Sequence, residues 1–327
     1  MSIVSLASRV KPDRSQTRTI AGLSVDLNAI LYVWHGIAVL GDLSDQRVGG
    51  PVSSSPEGKK VQGAGFEERR RGRVRRGAIA LAGLLAVSAP ARSEPVRVYA
   101  DYTVSLAGLP VGYLNFATVM DGRDYRLEGS LRPSIFAGMF ASIKGAADVS
   151  GRMGDATFLA AMLSVTYSTG EKDQRIEIEF DDGDVTATRH EPAKRQRKGD
   201  WVPVKPADLK AVLDPMSGLM IPSGARVCPR SLPIFDGDTR ATLHLKPAGR
   251  RPFRTNGFSG DVIVCKIRFE PVAGYRKSSS AIAYLRKLED MEVWYAENDA
   301  GGFLAPVYVH VQTEVGQVRV YATRFGN

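Results

Sequence analysis

The stretch Val96–Leu131, VRVYADYTVSLAGLPVGYLNFATVMDGRDYRLEGSL, decides the fold. Val98, Ala100, Tyr102, Val104 and Leu106 interleave with Arg97, Asp101, Thr103 and Ser105. Alternation at period 2 marks a strand with one face on a core and the other in water, the habit of antiparallel sheets. Gly108-Leu-Pro110 turns the chain into 111–120. Asp121-Gly122, a strong hairpin signal, then sends it back through Tyr125, Leu127 and Leu131, alternating with Arg126, Glu128 and Ser130.

Working outward, the same pattern recurs at 175–180, where an Asp-Asp-Gly-Asp turn leads into 185–189. It returns at 240–246, 261–269, 291–296, 305–313 and 317–325. Ten or so such strands predict a mainly β protein, a curved antiparallel sheet around one core with one to three short helices. Pro206 opens a helix over 207–213, and Asp214-Pro215 supplies an N-cap and first-turn proline for another over 216–221. The uncharged segment 134–141, SIFAGMFA, carries Phe136, Met139 and Phe140. These residues suit either plain core or the wall of a cleft that binds a lipid or other apolar ligand.

Upstream, Arg69–Pro95 reads RRRGRVRRGAIALAGLLAVSAPARSEP. Arginines, an uncharged run over 78–89 and the small residues Ala91 and Ser93 are the three parts of a cleavable secretory signal. The expectation is a signal over 69–93, cleavage near Glu94 and a single β-rich periplasmic domain over 94–327. The apolar run falls short of the roughly 20 residues that a bilayer core requires, which argues against an anchor there. Residues 1–68 show no sustained period and are expected not to fold by themselves. They are either a disordered extension or lie before the true start of translation, with Val61 or Val74 as alternative starts, since no methionine occurs between Met1 and Met120.

This division changes the meaning of the charge. The chain has 44 basic and 35 acidic residues, but 14 and 7 of them lie in the first 93, so the remainder carries 30 against 28. A nucleic-acid reading based on the overall +9 loses its main support. What survives is the loop 189–198, where Lys194, Arg195, Arg197 and Lys198 form either a solvated turn or a contact for phosphates at a membrane surface.

The only cysteines, Cys228 and Cys265, fall after the signal. In an oxidising compartment they are expected to pair as a disulfide, the alternative being two buried free thiols. Neither belongs to a CxxC motif. No two of His35, His190, His244 and His310 have metal-ligand spacing, and His244 and His310 fall on the polar sides of their strands. Gly257-Phe-Ser-Gly260 is one residue short of a hydrolase elbow. Asp181, Asp182 and Asp184, like Asp236 and Asp238, read as turn residues, not calcium ligands. No catalytic residue, metal ligand or cofactor emerges.

The segments GLPVGYLNFATVMDGRDY, SIFAGMFASIKGAADVSGRM, CPRSLPIFDGDTR, VCKIRFEPVAGYR and LAPVYVHVQTEVGQVRVYATRF resemble the exported proteobacterial domain-of-unknown-function family 3108. The resemblance spans about Tyr99 to Phe325, and the contexts of Cys228 and Cys265 are its most specific part. It implies a periplasmic open half-barrel, akin to lipoprotein carriers, whose concave apolar face holds acyl chains. The resulting expectation is a non-enzymatic exported protein that binds an apolar or amphiphilic envelope ligand or assists envelope assembly. A structural or protein-interaction module and a hydrolase of an envelope polymer are the alternatives.

Overall fold

Alternation along the chain becomes one wide sheet. The computed structural model describes residues 19–20, 23–24, 94–135, 143–169, 172–194, 199–313 and 316–327. The described residues belong to one compact unit. The first two strands, β1 (Thr19–Ile20) and β2 (Leu23–Ser24), form a small ladder of their own. The signal-like segment 69–93, the loop residues Arg195, Arg197 and Lys198, and Phe136, Met139 and Phe140 lie outside the described residues.

The main sheet runs through β3 (Val96–Leu106), β4 (Leu109–Asp121), β5 (Asp124–Pro133), β6 (Ile143–Met153), β7 (Phe158–Thr169), β8 (Lys172–Asp181) and β9 (Asp184–Glu191). After a long connection come β10 (Ile221–Pro222), β11 (Arg230–Phe235), β12 (Arg240–Thr255), β13 (Phe258–Ala273), β14 (Met291–Asn298), β15 (Phe303–Thr313) and β16 (Gly316–Gly326). Neighbours pair antiparallel in the order β11-β12-β13-β14-β15-β16-β3-β4-β5-β6-β7-β8-β9, and β10 pairs with β15. The three turns legible in the sequence, at Gly108, Gly122 and Gly183, join β3 to β4, β4 to β5 and β8 to β9, and each glycine takes positive φ, a conformation that it adopts without steric cost.

Strands β6 and β7 go beyond the sequence pattern. Their alternation is broken by a bulge between Ser150 and Gly151, and Ala146, Ala147 and Ala160 carry little of the β-branched bulk that flags a strand. Strand β12 likewise continues past Lys246 to Thr255 through a shift between Pro247 and Gly249, with side chains exposed from Lys246 to Pro252. The expected helices shrink to 3-10 turns at Pro206–Leu209 and Ser217–Leu219. Among the described residues one α-helix, α1 (Ser280–Leu285), arises where the Ser279 side chain accepts a hydrogen bond from the Ile282 N–H.

A sheet this wide curls, because successive strands twist in one sense. The Phe158 ring on β7 meets Tyr125 at 5.0 Å and Phe303 on β15 at 5.8 Å, both edge to face. Strands far apart in the sheet order therefore touch across one interior. The end strands β9 and β11 do not pair with each other. The connection between them spans the gap instead: Val212 N–H donates to Gly183 O at 2.7 Å, and Leu213 N–H to Pro233 O at 2.7 Å. The buried residues form two main clusters, and this connection feeds both, with Val212 and Met220 in one and Leu213 and Ile221 in the other.

Two further ties hold the shell. The tip of the β12–β13 hairpin reaches β16, where Thr255 Oγ1 donates to Ala322 O at 2.9 Å and Phe325 N–H to Asn256 O at 2.8 Å. Gly257 at that tip has φ +83°, and a Cβ there would lie 2.7 Å from Phe325 O, so only glycine fits. Cys228 and Cys265 are joined by a disulfide that fastens the connection before β11 to β13. Replacing both cysteines by serine is expected to lower the unfolding free energy by roughly 3 to 4 kcal/mol, the chain-entropy value for a loop of this length. Denaturant titration of the double variant measures the loss.

Candidate functional site

The concave apolar residues of β3, β4, β5, β15 and β16 leave a space that the connection covers without filling. A cavity of about 100 Å³ lies between Val98, Tyr102, Leu114, Ala305 and Val320 on the sheet and Pro215, Met216, Leu219 and Met220 above them. Alternation explains the sheet side: Val98, Ala100 and Tyr102 are the inward set of β3. The polar groups among the lining residues are few and uncharged. The Tyr102 hydroxyl donates to Pro306 O at 2.7 Å, and burial pushes its pKa well up. A space of this kind holds a few methylene groups or a ring. Engineered apolar cavities of ~150 Å³ stay dry and admit benzene-sized molecules.

The covering strap, residues 214–220, is pinned by a buried polar chain. Asp214 and Ser217 are 1% and 0% exposed. Asp214 Oδ1 accepts from the N–H groups of Met216 and Ser217, each at 2.8 Å, and the Ser217 hydroxyl donates to Asp214 Oδ2. Ser217 Oγ in turn meets Tyr125 Oη on β5 at 2.6 Å. The expected helix over 216–221 is a 3-10 turn over Ser217–Leu219 with Met216 at its N-cap, so Asp214 and Pro215 lie ahead of the cap and Asp214 instead gathers the N–H groups of the tight bend that leads into the turn. Gly218 completes the fit, because a Cβ there would lie 2.7 Å from Leu213 Cβ.

Among the described residues no cation faces Asp214. Burial raises its carboxyl pKa, outweighing the hydrogen bonds from Ser217 and Met216 that favour the ionised form. Burial also raises the Tyr125 hydroxyl, with the Asp214 charge adding to the effect. Deprotonating this pair inside the shell is therefore unfavourable, and the chain Tyr125–Ser217–Asp214 acts as a structural clasp.

The residues singled out in the sequence fall elsewhere. Lys194 is ion-paired with Asp238, whose side chain is buried. Asp236 Oδ1 accepts from the N–H groups of Asp238 and Thr239, which is turn chemistry. Asp184 accepts from Lys210 Nζ at 2.7 Å and from Ala211 N–H at 2.9 Å, fastening the start of the connection to the β8–β9 turn. His190 Nε2 lies 3.1 Å from Gly237 O, and His310 Nε2 lies 2.6 Å from the Gln317 amide. Among the described residues, no group of three or more His, Cys, Asp or Glu is placed to hold a metal ion.

One constellation escaped the sequence reading. Ser231 Oγ is 2.9 Å from His244 Nδ1, and His244 Nε2 is 2.5 Å from Glu270 Oε2. The three residues sit on β11, β12 and β13, and only strand register brings them together. All occupy the polar side of their strands, opposite Leu232, Leu243 and Phe269, which are buried or packed on buried residues. The arrangement is a cross-strand polar ladder on the wet face. His244 also lowers the Glu270 pKa by hydrogen bonding.

The clasp has a pH signature. Asp214 has a folded-state pKa above its ordinary 3.8, so as pH rises from about 4 the unfolded chain ionises first and stability is lost until the folded pKa is passed. Asp214→Asn keeps an acceptor for the two N–H groups and offers Ser217 a donor, without titrating. Relative to the native protein, the variant is expected to gain stability with rising pH, by about 1 kcal/mol per pH unit within that window. Unfolding titrations between pH 3 and 8 measure it, and a difference that stays constant with pH would refute the assignment.

No curated protein matches the chain in sequence. A solved structure described as a beta-barrel-like protein of domain of unknown function DUF1849, from Brucella abortus, is 9% identical. It covers 71% of this chain and 96% of its own, with a TM-score of 0.41. Residues 101–323 match the model of the family described as "Protein of unknown function (DUF3108)". That match takes in most of the main sheet, the strap and both cysteines, and the chain belongs to the DUF3108 family.

Proposed function

We propose that this is an exported, non-enzymatic envelope protein that shelters an apolar or amphiphilic ligand, with an acyl chain the group best suited to the space. The observation that carries the reading is the cavity: its walls are aliphatic and aromatic, and no charged side chain lines it. Apolar walls with few polar groups select by burial and shape, not by chemistry on the bound molecule. A periplasmic location is supported by the signal-like segment Arg69–Pro95 and by the disulfide, a bond that persists in oxidising compartments.

Catalysis is less well supported by the same geometry. The Ser231–His244–Glu270 ladder faces solvent, away from the cavity side chains, and the clasp at Asp214 is engaged in holding the strap. The strap is also what limits the ligand. About 100 Å³ accommodates part of an acyl chain, and a longer one requires residues 214–220 to lift.

N-phenyl-1-naphthylamine, a neutral dye that fluoresces in apolar surroundings, tests the proposal. The native protein is expected to bind it with micromolar affinity. Met216→Trp, which fills the space from the half-buried strap, is expected to weaken binding at least tenfold with the melting temperature unchanged. Ala305→Leu narrows the same space from the sheet side and should act in the same direction. Unchanged affinity in both folded variants would sink the cavity reading, and extraction of a lipid from the protein purified from its host envelope would strengthen it.

A further inference from the structure

We infer that the arm formed by β12 and β13 recognises the head of the cavity's ligand, which makes that ligand an amphiphile with an anionic phosphate or carboxylate head. The inference rests on the cavity reading above and adds the chemical class of its occupant.

Along β5–β9 most arginines of the wet face are neutralised by a neighbouring carboxylate. Arg123 pairs with Asp155, Arg126 with Asp148, and Arg189 with Glu179 across neighbouring strands or turns. The arm departs from this habit. Between residues 246 and 261 it carries Lys246, Arg250, Arg251 and Arg254 against the single acid Asp261. All four cations are exposed, and among the described residues none of them has a salt-bridge partner. Lys246 lies opposite Lys266 across the ladder, and of the two it is Lys266 that has a carboxylate, Glu292, opposite it on the next strand.

The arm meets the cavity wall directly at Phe325 and, through Trp294, indirectly at Tyr308. The Arg251 guanidinium lies over the Trp294 ring, 5.2 Å from its centre, and Trp294 packs on Tyr308 with ring centres 4.5 Å apart. Tyr308 lines the cavity. Phe258, from the other strand of the arm, meets Phe325 at 5.9 Å, and Phe325 lines the cavity as well. Alternation puts Arg251, Phe253 and Thr255 on the side of β12 that meets Trp294 and β16, with Arg250 and Arg254 on the other side. Glu292 accepts the Trp294 Nε1–H at 3.1 Å, so the indole edge is occupied and its face carries the cation.

This layout suits a molecule with two unlike ends. An acyl chain gains by leaving water for the cavity, and its head must stop where charge and solvent are available. Arginine presents a planar fork that matches the oxygens of phosphate or carboxylate, and stacking on Trp294 orients that fork before any ligand arrives. A neutral hydrocarbon would use the cavity and leave the arm idle.

The test displaces N-phenyl-1-naphthylamine from the purified full-length protein with dodecyl phosphate, dodecanoate and dodecanol, which share one chain length. The native protein is expected to bind at least one of the two anions tenfold or more tightly than dodecanol, with a preference that shrinks as salt rises. Whichever anion is preferred identifies the head. The triple variant Arg250→Ser, Arg251→Ser, Arg254→Ser is expected to bind dodecanol as the native protein does and to lose the preference. Arg251→Lys, which keeps the charge but not the fork, should lose part of it. A preference that survives in the triple variant, or no preference in the native protein, overturns the inference while leaving the cavity reading intact. Competition by inorganic phosphate as strong as by dodecyl phosphate would also overturn it. If the dye binds and none of the three chains displaces it, the cavity reading fails together with this one.

Discussion

A sheet of fourteen strands with one apolar face must hide that face, and the architecture follows from how this chain does so. Twist curls the strands until Phe158 reaches Phe303, but the end strands β9 and β11 never pair. The interior is completed by the connection between those ends, which satisfies edge groups at Gly183 and Pro233 and delivers Val212, Leu213, Met220 and Ile221 to the core.

That solution brings a carboxyl group into the shell. Asp214 is fully enclosed without a cation, a situation that ordinarily opposes folding. Its three hydrogen-bond donors, Met216 N–H, Ser217 N–H and the Ser217 hydroxyl, offset part of the cost and hold the strap in one register. Aliphatic side chains from the same few residues face the sheet and stop short of it, which leaves the cavity. The clasp and the cavity are two sides of one strap, so changes in the first are transmitted to the second.

Different parts of this structure were legible to different degrees. Strands β3, β4 and β5 could be read from their letters, since apolar and polar residues alternate from Val98 to Leu106 and Asp121-Gly122 marks the reversal, but Thr103 and Ser105, expected on the wet face, are buried as well. Strands β6 and β7 could not, because alanine and glycine replace the bulky set and the bulge at Ser150 shifts the period. Helix α1 is only six residues long, too short to express a 3.6-residue repeat. Asp214-Pro215 was legible as a local chain reversal, though not as the N-cap it was expected to be, and nothing pointed to Tyr125, a partner 92 positions from Ser217. The same holds for Ser231, His244 and Glu270, aligned by register across three strands.

What the sequence alone determined is therefore local: which segments are strands, which face of each is apolar, where glycines turn the chain, and that the basic excess lies mainly ahead of residue 94. Side-chain alternation and turn chemistry act over a few residues and leave their mark in the order of letters. Tertiary structure alone decided that β9 and β11 stay apart, that residues 214–220 roof an apolar space, and that the tip of a long cationic hairpin comes to rest on β16. Those outcomes depend on contacts between residues tens to hundreds of positions apart, where packing and hydrogen bonding select partners that no short-range pattern records.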